Sequence, residues 1–120
     1  MITKIRKRDG REVPFNLEKI ANAIFKAAMA CGGNDYDTAM ELANQVAKIL
    51  NQEMDGQVPT VEYIQDLVEK VLIENGHAAT AKAYILYRAE RTRVREMNTR
   101  LMKVMEELTF KDAKDNDLKR

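Results

Sequence analysis

The chain has 120 residues, enough for one domain and too few for two with separate cores. Hydrophobic residues make up 45% and charged residues 32%, the balance of a packed core with a solvated exterior, and no apolar run approaches the roughly 20 residues that span a bilayer. The single cysteine and single histidine, Cys31 and His77, exclude an intrachain disulfide, a cysteine-rich zinc site, a dithiol redox centre and a histidine-based metal cluster.

In chain order, residues 2–7 and 12–15 are short β-capable runs around Arg8-Asp9-Gly10-Arg11. An Asp-Gly pair there predicts a hairpin with a type I′ turn, in which Ile5, Val13 and Phe15 offer an apolar face and Pro14 requires an edge strand. Asn16 is a suitable N-cap for a first helix with Leu17, Ile20, Ala23, Ile24, Ala27 and Ala28 at helical spacing, ended by Gly32-Gly33-Asn34. A second helix is expected from about Asp37, with Leu42, Ala43, Val46, Ile49 and Leu50 inward. Asp55-Gly56 and Pro59 break it, and Thr60 caps a third whose inner stripe is Ile64, Leu67, Val68, Val71 and Leu72, ending at Asn75-Gly76.

A fourth helix starts near Ala78, with Ala81, Tyr84, Ile85 and Tyr87 as its core face. No breaker follows until well past Arg95. Val94, Met97, Leu101, Val104 and Leu108 step by three and four, a heptad-like seam too short to define a coiled coil, which fits either packing on its own domain or docking on another surface. Residues 111–120 are polar enough for a linker or a disordered tail. The expected fold is mainly α, a four-helix cluster capped by a small N-terminal β-hairpin.

Charge is unevenly placed although its sum is only +1. Lys4, Arg6, Lys7, Arg8 and Arg11 are opposed at the start only by Asp9; Arg88, Arg91, Arg93 and Arg95 form a second basic block; the middle is acidic. Charge order alone leaves two readings, convergence of both blocks on one anion or two separate solvated faces. A tight turn beside Lys7 and Arg8 exposes backbone N–H groups to phosphate oxygens, and the helix opened by Asn16 adds a positive dipole end. Lys19, in that helix's first turn, sits at the unfavourable end of the dipole, so a bound anion would remove a penalty as well as add contacts. Neither Gly-x-x-x-x-Gly-Lys-Ser/Thr nor Gly-x-Gly-x-x-Gly occurs, which removes P-loop and Rossmann chemistry. Cys31 reads as a semi-buried thiol at a helix end and His77 as a helix-start residue; neither is expected to be catalytic.

The run Lys7-Arg8-Asp9-Gly10-Arg11-x-Val13-Pro14-Phe15-Asn16-x-x-Lys19-Ile20-x-x-Ala23-Ile24 closely resembles the opening of the ATP-cone domain, the allosteric module of many ribonucleotide reductases and of the repressor of their genes. Val58-Pro59-Thr60, Ile64-Gln65-Asp66-x-Val68-Glu69 and Ala81-Lys82-Ala83-Tyr84-Ile85-x-Tyr87-Arg88-x-x-Arg91 extend the likeness. The resemblance implies a cone over residues 1–95, with residues 96–120 a helical extension and charged linker that look most like the anaerobic ribonucleoside-triphosphate reductases. It puts Lys7, Arg8 and Lys19 on the triphosphate, joined by Arg91 and Arg88, with Ile5 and Thr60 near the adenine and Asn16 near the nucleoside. Gln65 stands where some relatives carry histidine, and Val13 where some carry a polar residue.

By the same resemblance the expected effector is ATP or dATP with Mg2+, the partner is a reductase catalytic body, and the chain is a regulatory domain and no enzyme, without catalytic or metal-ligating residues of its own. Effector-dependent homo-oligomerisation and a cytoplasmic location go with that reading; a membrane does not. The heptad-like seam is the expected transmitter to the body. One rival is the nucleotide-sensing half of a reductase-gene repressor, disfavoured because a four-cysteine zinc ribbon is expected ahead of such a cone. The other is a nucleic-acid-binding helical domain using Arg88, Arg91, Arg93, Arg95 and Arg100. Those arginines scatter around the helix without an aromatic platform, so nucleic acid is not the expected partner.

Overall fold

Four helices follow a short hairpin: β1 (Lys4–Arg6), β2 (Glu12–Pro14), α1 (Leu17–Ala30), α2 (Tyr36–Glu53), α3 (Val61–Glu74) and α4 (Ala78–Lys119). The computed structural model describes the backbone of residues 1–119 and the side chains of residues 1–108. The expected mainly α fold with its hairpin cap is the one observed. No helix among the described residues is long and apolar enough to cross a membrane.

The strands pair antiparallel in the register Lys4 with Pro14, Ile5 with Val13 and Arg6 with Glu12. The turn differs from the expected type I′. Lys7 C=O accepts from Gly10 N–H at 2.9 Å and Lys7 N–H donates to Arg11 C=O at 2.8 Å, while only Gly10 (φ +89°) takes a positive φ. Negative φ at Arg8 and Asp9 gives the pattern of a type I turn followed by a left-handed glycine. The reason is local: Asp9 Oδ1 accepts from Arg11 N–H at 3.0 Å, and one glycine, where φ and not space excludes a side chain, absorbs the reversal.

Each of the first three helices starts on a side-chain cap. Asn16 Oδ1 accepts from Glu18 N–H (3.0 Å) and Lys19 N–H (3.4 Å), Asp35 Oδ1 from Thr38 N–H (3.1 Å), and Thr60 Oγ1 from Tyr63 N–H (3.1 Å). α1 and α3 both end in Schellman geometry: Gly33 N–H reaches Ala28 C=O and His77 N–H reaches Leu72 C=O, each at 2.8 Å.

By contact the described residues form two units, Met1–Leu86 and Tyr87–Arg120, with α4 starting in the first and continuing through the second. The first holds the core. Ala21, Ile24 and Ala27 of α1, Leu42, Ala43, Val46 and Leu50 of α2, and Ile64, Leu67, Val68, Val71 and Leu72 of α3 are buried, closed by Ala81 and Tyr84. Ile2 joins them, its N–H donating to Asn51 Oδ1 at 2.7 Å, and Ile5 and Phe15 pack against them from the hairpin. Ile85 departs from expectation: it is 43% exposed, because it lies about 100° around the helix from Tyr84 and off the narrow stripe that Ala81 and Tyr84 bury.

The second unit is a single stretch of helix, the continuation of α4. Its seam residues, expected to be covered by their own domain or by another surface, are all 41% or more exposed. Helical backbone continues to Lys119, into the stretch expected as a linker; the side chains of residues 109–120, on which that expectation depends, lie outside the described residues.

Candidate nucleotide site

The hairpin is tied to the start of α3 as well as to the core. Arg6 N–H donates to Pro59 C=O at 2.8 Å, and Arg6 and Thr60 form an isolated parallel bridge, so the outer edge of β1 takes a third segment. Sequence patterning misses this, because Val58-Pro59-Thr60 reads only as a breaker and a cap. Its consequence is positional: Ile5, half-buried on β1, and Thr60, exposed as the α3 cap, come into one neighbourhood. Gln65, half-buried, lies one turn further along α3. Arg8 then crosses from the turn to α3, its Nε donating to Glu62 Oε1 at 3.4 Å.

The hairpin's cations divide by their partners. Arg11 Nε donates to Asp9 Oδ2 at 2.7 Å, and Arg6 donates to Glu12 Oε2 at 3.5 Å. The Arg11 backbone N–H, helped by its guanidinium, holds the Asp9 carboxyl below its ordinary value. Lys7 makes no ion pair among the described residues, and neither does Lys19, whose exposed side chain leaves the first turn of α1. These two lysines are therefore not committed to a carboxylate among the described residues, whereas Arg8 is shared with Glu62. Such exposed pairs hold weakly, typically 0–1 kcal/mol, so a phosphate can displace the carboxylate.

Two of the polar candidates are partly committed. Asn16 Oδ1 serves the α1 cap, leaving its amide NH2 to donate. Thr60 Oγ1 accepts from Tyr63 N–H and keeps its O–H. The Tyr63 phenol donates to Glu53 Oε2, and that bond raises the phenol pKa while joining the two ends of the α2–α3 connection. Glu53, Glu62 and Tyr63 were not singled out by sequence: each looks like an ordinary solvated helix position until the contact is seen. No group of three or more His, Cys, Asp or Glu among the described residues is placed to hold a metal ion.

Over residues 3–93 the sequence matches the ATP cone domain. The chain belongs to that family. Among relatives, it is 42% identical over 113 residues to a vitamin B12-dependent ribonucleoside-diphosphate reductase of Thermoplasma acidophilum, covering 90% of this chain and 14% of that one. It is 40% identical over 101 residues to an anaerobic ribonucleoside-triphosphate reductase of Salmonella typhimurium, covering 84% and 14%. A ribonucleoside-diphosphate reductase subunit alpha of Chlamydia muridarum is 38% identical over 99 residues, covering 75% and 10%. The cone thus spans about one seventh of the first two relatives, and the relatives differ in reductase type.

Two candidates of the cone belong to the second unit. Arg88 is half-buried there, and Arg91 is exposed, its Nη1 donating to Tyr87 Oη at 3.2 Å and its guanidinium carbon 5.7 Å from the Tyr87 ring centroid. Their assignment to phosphate rests on the resemblance alone. Cys31 caps the end of α1 and is exposed rather than semi-buried, because the helix ends at the surface; its thiol donates to Ala79 C=O at 3.3 Å. His77 provides the carbonyl that opens α4, accepting from Ala81 N–H at 2.9 Å.

Proposed function

We propose that this chain is the adenine-nucleotide sensor of a ribonucleotide reductase, binding ATP or dATP and reporting their ratio to a catalytic body. Family membership carries the nucleotide class, and one structural observation carries the site: the bridge of β1 to Thr60 sets a basic turn against the start of α3. In this reading Lys7, Arg8 and Lys19 hold the triphosphate, with Arg91 and Arg88 added. Ile5, Thr60 and Gln65 face the base, and the Asn16 amide serves the nucleoside. Magnesium is carried on the phosphate oxygens of the ligand.

Phosphate contacts supply affinity common to both effectors. Discrimination then falls on the 2′-hydroxyl, or on a second bound nucleotide, acting on an element with two arrangements. The parent enzyme we infer is the anaerobic triphosphate reductase, in the cytoplasm, with the cone itself devoid of catalysis and the body responding through a change of assembly. The cone is residues 1–95 and the extension residues 96–120.

Thermal unfolding with magnesium and ATP, dATP or CTP tests the ligand class. ATP and dATP should each raise the melting temperature, by about 2.7 kcal/mol of linkage at a hundredfold excess over Kd, and CTP far less. Equal stabilisation by CTP would reduce the site to one for any polyphosphate. A preference for DNA over ATP would restore the nucleic-acid reading.

A further inference from the structure

The seam of α4 makes no contact with the nucleotide in the reading above, which gives it only the part of transmitter to the body. Val94, Met97, Leu101, Val104 and Leu108 are between 41% and 58% exposed, and Met102 and Met105 beside them are 62% and 56% exposed. A helix that turns an apolar stripe to water, with no partner in its own unit, lacks the burial that stabilises most helices in proteins. Val94, Leu101 and Leu108 take the a positions of a heptad, Met97 and Val104 the d positions, and Arg100 and Glu107 the g positions.

The flanking charges select an occupant. In a parallel pair Arg100 would face Met105 of the other helix, and the described seam would carry no cross-helix ion pair. In an antiparallel pair with its twofold between Met102 and Lys103, Met97 meets Leu108 and Leu101 meets Val104, each twice. The same register sets Arg100 of each copy opposite Glu107 of the other, also twice. Among the described residues neither Arg100 nor Glu107 is ion-paired within its own chain, whereas Arg93, one heptad earlier, is held by Glu90 at 2.7 Å. We propose that a second copy of this chain covers the α4 seam, as an antiparallel helix pair in that register. The surface is small, so the association is weak and reversible. It does not depend on the nucleotide site.

Sedimentation equilibrium of the full chain without nucleotide, over a hundredfold concentration range, tests this. Wild type should pass from monomer to dimer. Arg100→Glu and Glu107→Arg each turn two attractive contacts into repulsive ones and should weaken the dimer roughly tenfold. The double variant Arg100→Glu/Glu107→Arg should recover wild-type association, and Leu101→Asp should abolish it while the helical signal of the first unit persists. A wild-type chain that is monomeric throughout overturns the proposal and leaves the seam to a different surface, such as a reductase body. Single reversals without effect, or a double variant that fails to recover, overturn the register.

Discussion

α3 and the outer part of α4 carry the same sequence signal and meet opposite fates. Ile64, Leu67, Val68, Val71 and Leu72 recur at helical spacing and are 6% exposed or less; Val94, Met97, Leu101, Val104 and Leu108 recur the same way and are 41–58% exposed. Periodicity therefore specifies which face of a helix is apolar and says nothing about what covers it. α3 meets α2 and the hairpin within its own unit, while the seam residues of α4 are all 41% or more exposed. The packed stripe is a matter of stability; the open one is the surface for which we propose association.

Alanine substitution separates them most sharply. Leu72→Ala removes a fully buried side chain and should cost about 2–5 kcal/mol in denaturant unfolding. Leu101→Ala, at a 58% exposed position, should change monomer stability by less than about 0.5 kcal/mol. Comparable losses at the two positions would mean that the seam is packed on its own domain after all.

The cations allow a second contrast. Arg91→Ala should weaken ATP binding by about 1.5–3 kcal/mol in a calorimetric titration, whereas Arg95→Ala, beyond the matched residues 3–93, should leave it unchanged. Equal effects would favour diffuse electrostatics over a phosphate contact. Glu62→Gln sharpens the picture within the first unit. Freed from its 3.4 Å partner, Arg8 should bind ATP slightly more tightly, by up to about 1 kcal/mol. Weaker binding would instead give Glu62 a part in holding the ligand.

Much of this was legible because the local signals agree with one another. Asn16, Thr60 and the glycines after α1 and α3 mark helix ends by hydrogen-bond chemistry that needs no tertiary context. The turn type was misread because Asp-Gly serves both type I′ and a type I turn with a glycine bulge; the Asp9–Arg11 contact decides between them. The bridge of Arg6 to Thr60 joins residues 54 positions apart, and the Arg8–Glu62 pair spans the same separation. Contacts at that distance carry no periodic trace, which is why the basic turn was visible in the sequence and its acidic neighbour was not.

The smallest effect is one of pH. Hydrogen bonds from the Thr38 hydroxyl and N–H lower the Asp35 pKa from 3.8. A lowered folded-state pKa contributes stability above the unfolded value, lost as pH falls through the folded one. The acid limb of a melting-temperature profile should therefore be shallower in Asp35→Asn, which keeps a capping side chain without the titration. An unchanged limb would show that other carboxylates dominate acid unfolding.

The central claim, that Lys7 and Lys19 are held ready for one triphosphate, is tested most directly by calorimetric titration of ATP with magnesium into wild type and Lys7→Gln/Lys19→Gln. In the free chain Lys19 opposes the α1 dipole, so the double variant should melt at or slightly above the wild-type temperature. With two charge-assisted contacts gone, its ATP affinity should fall by at least tenfold. A variant that melts lower yet binds ATP as tightly as wild type would make both lysines structural and contradict the account.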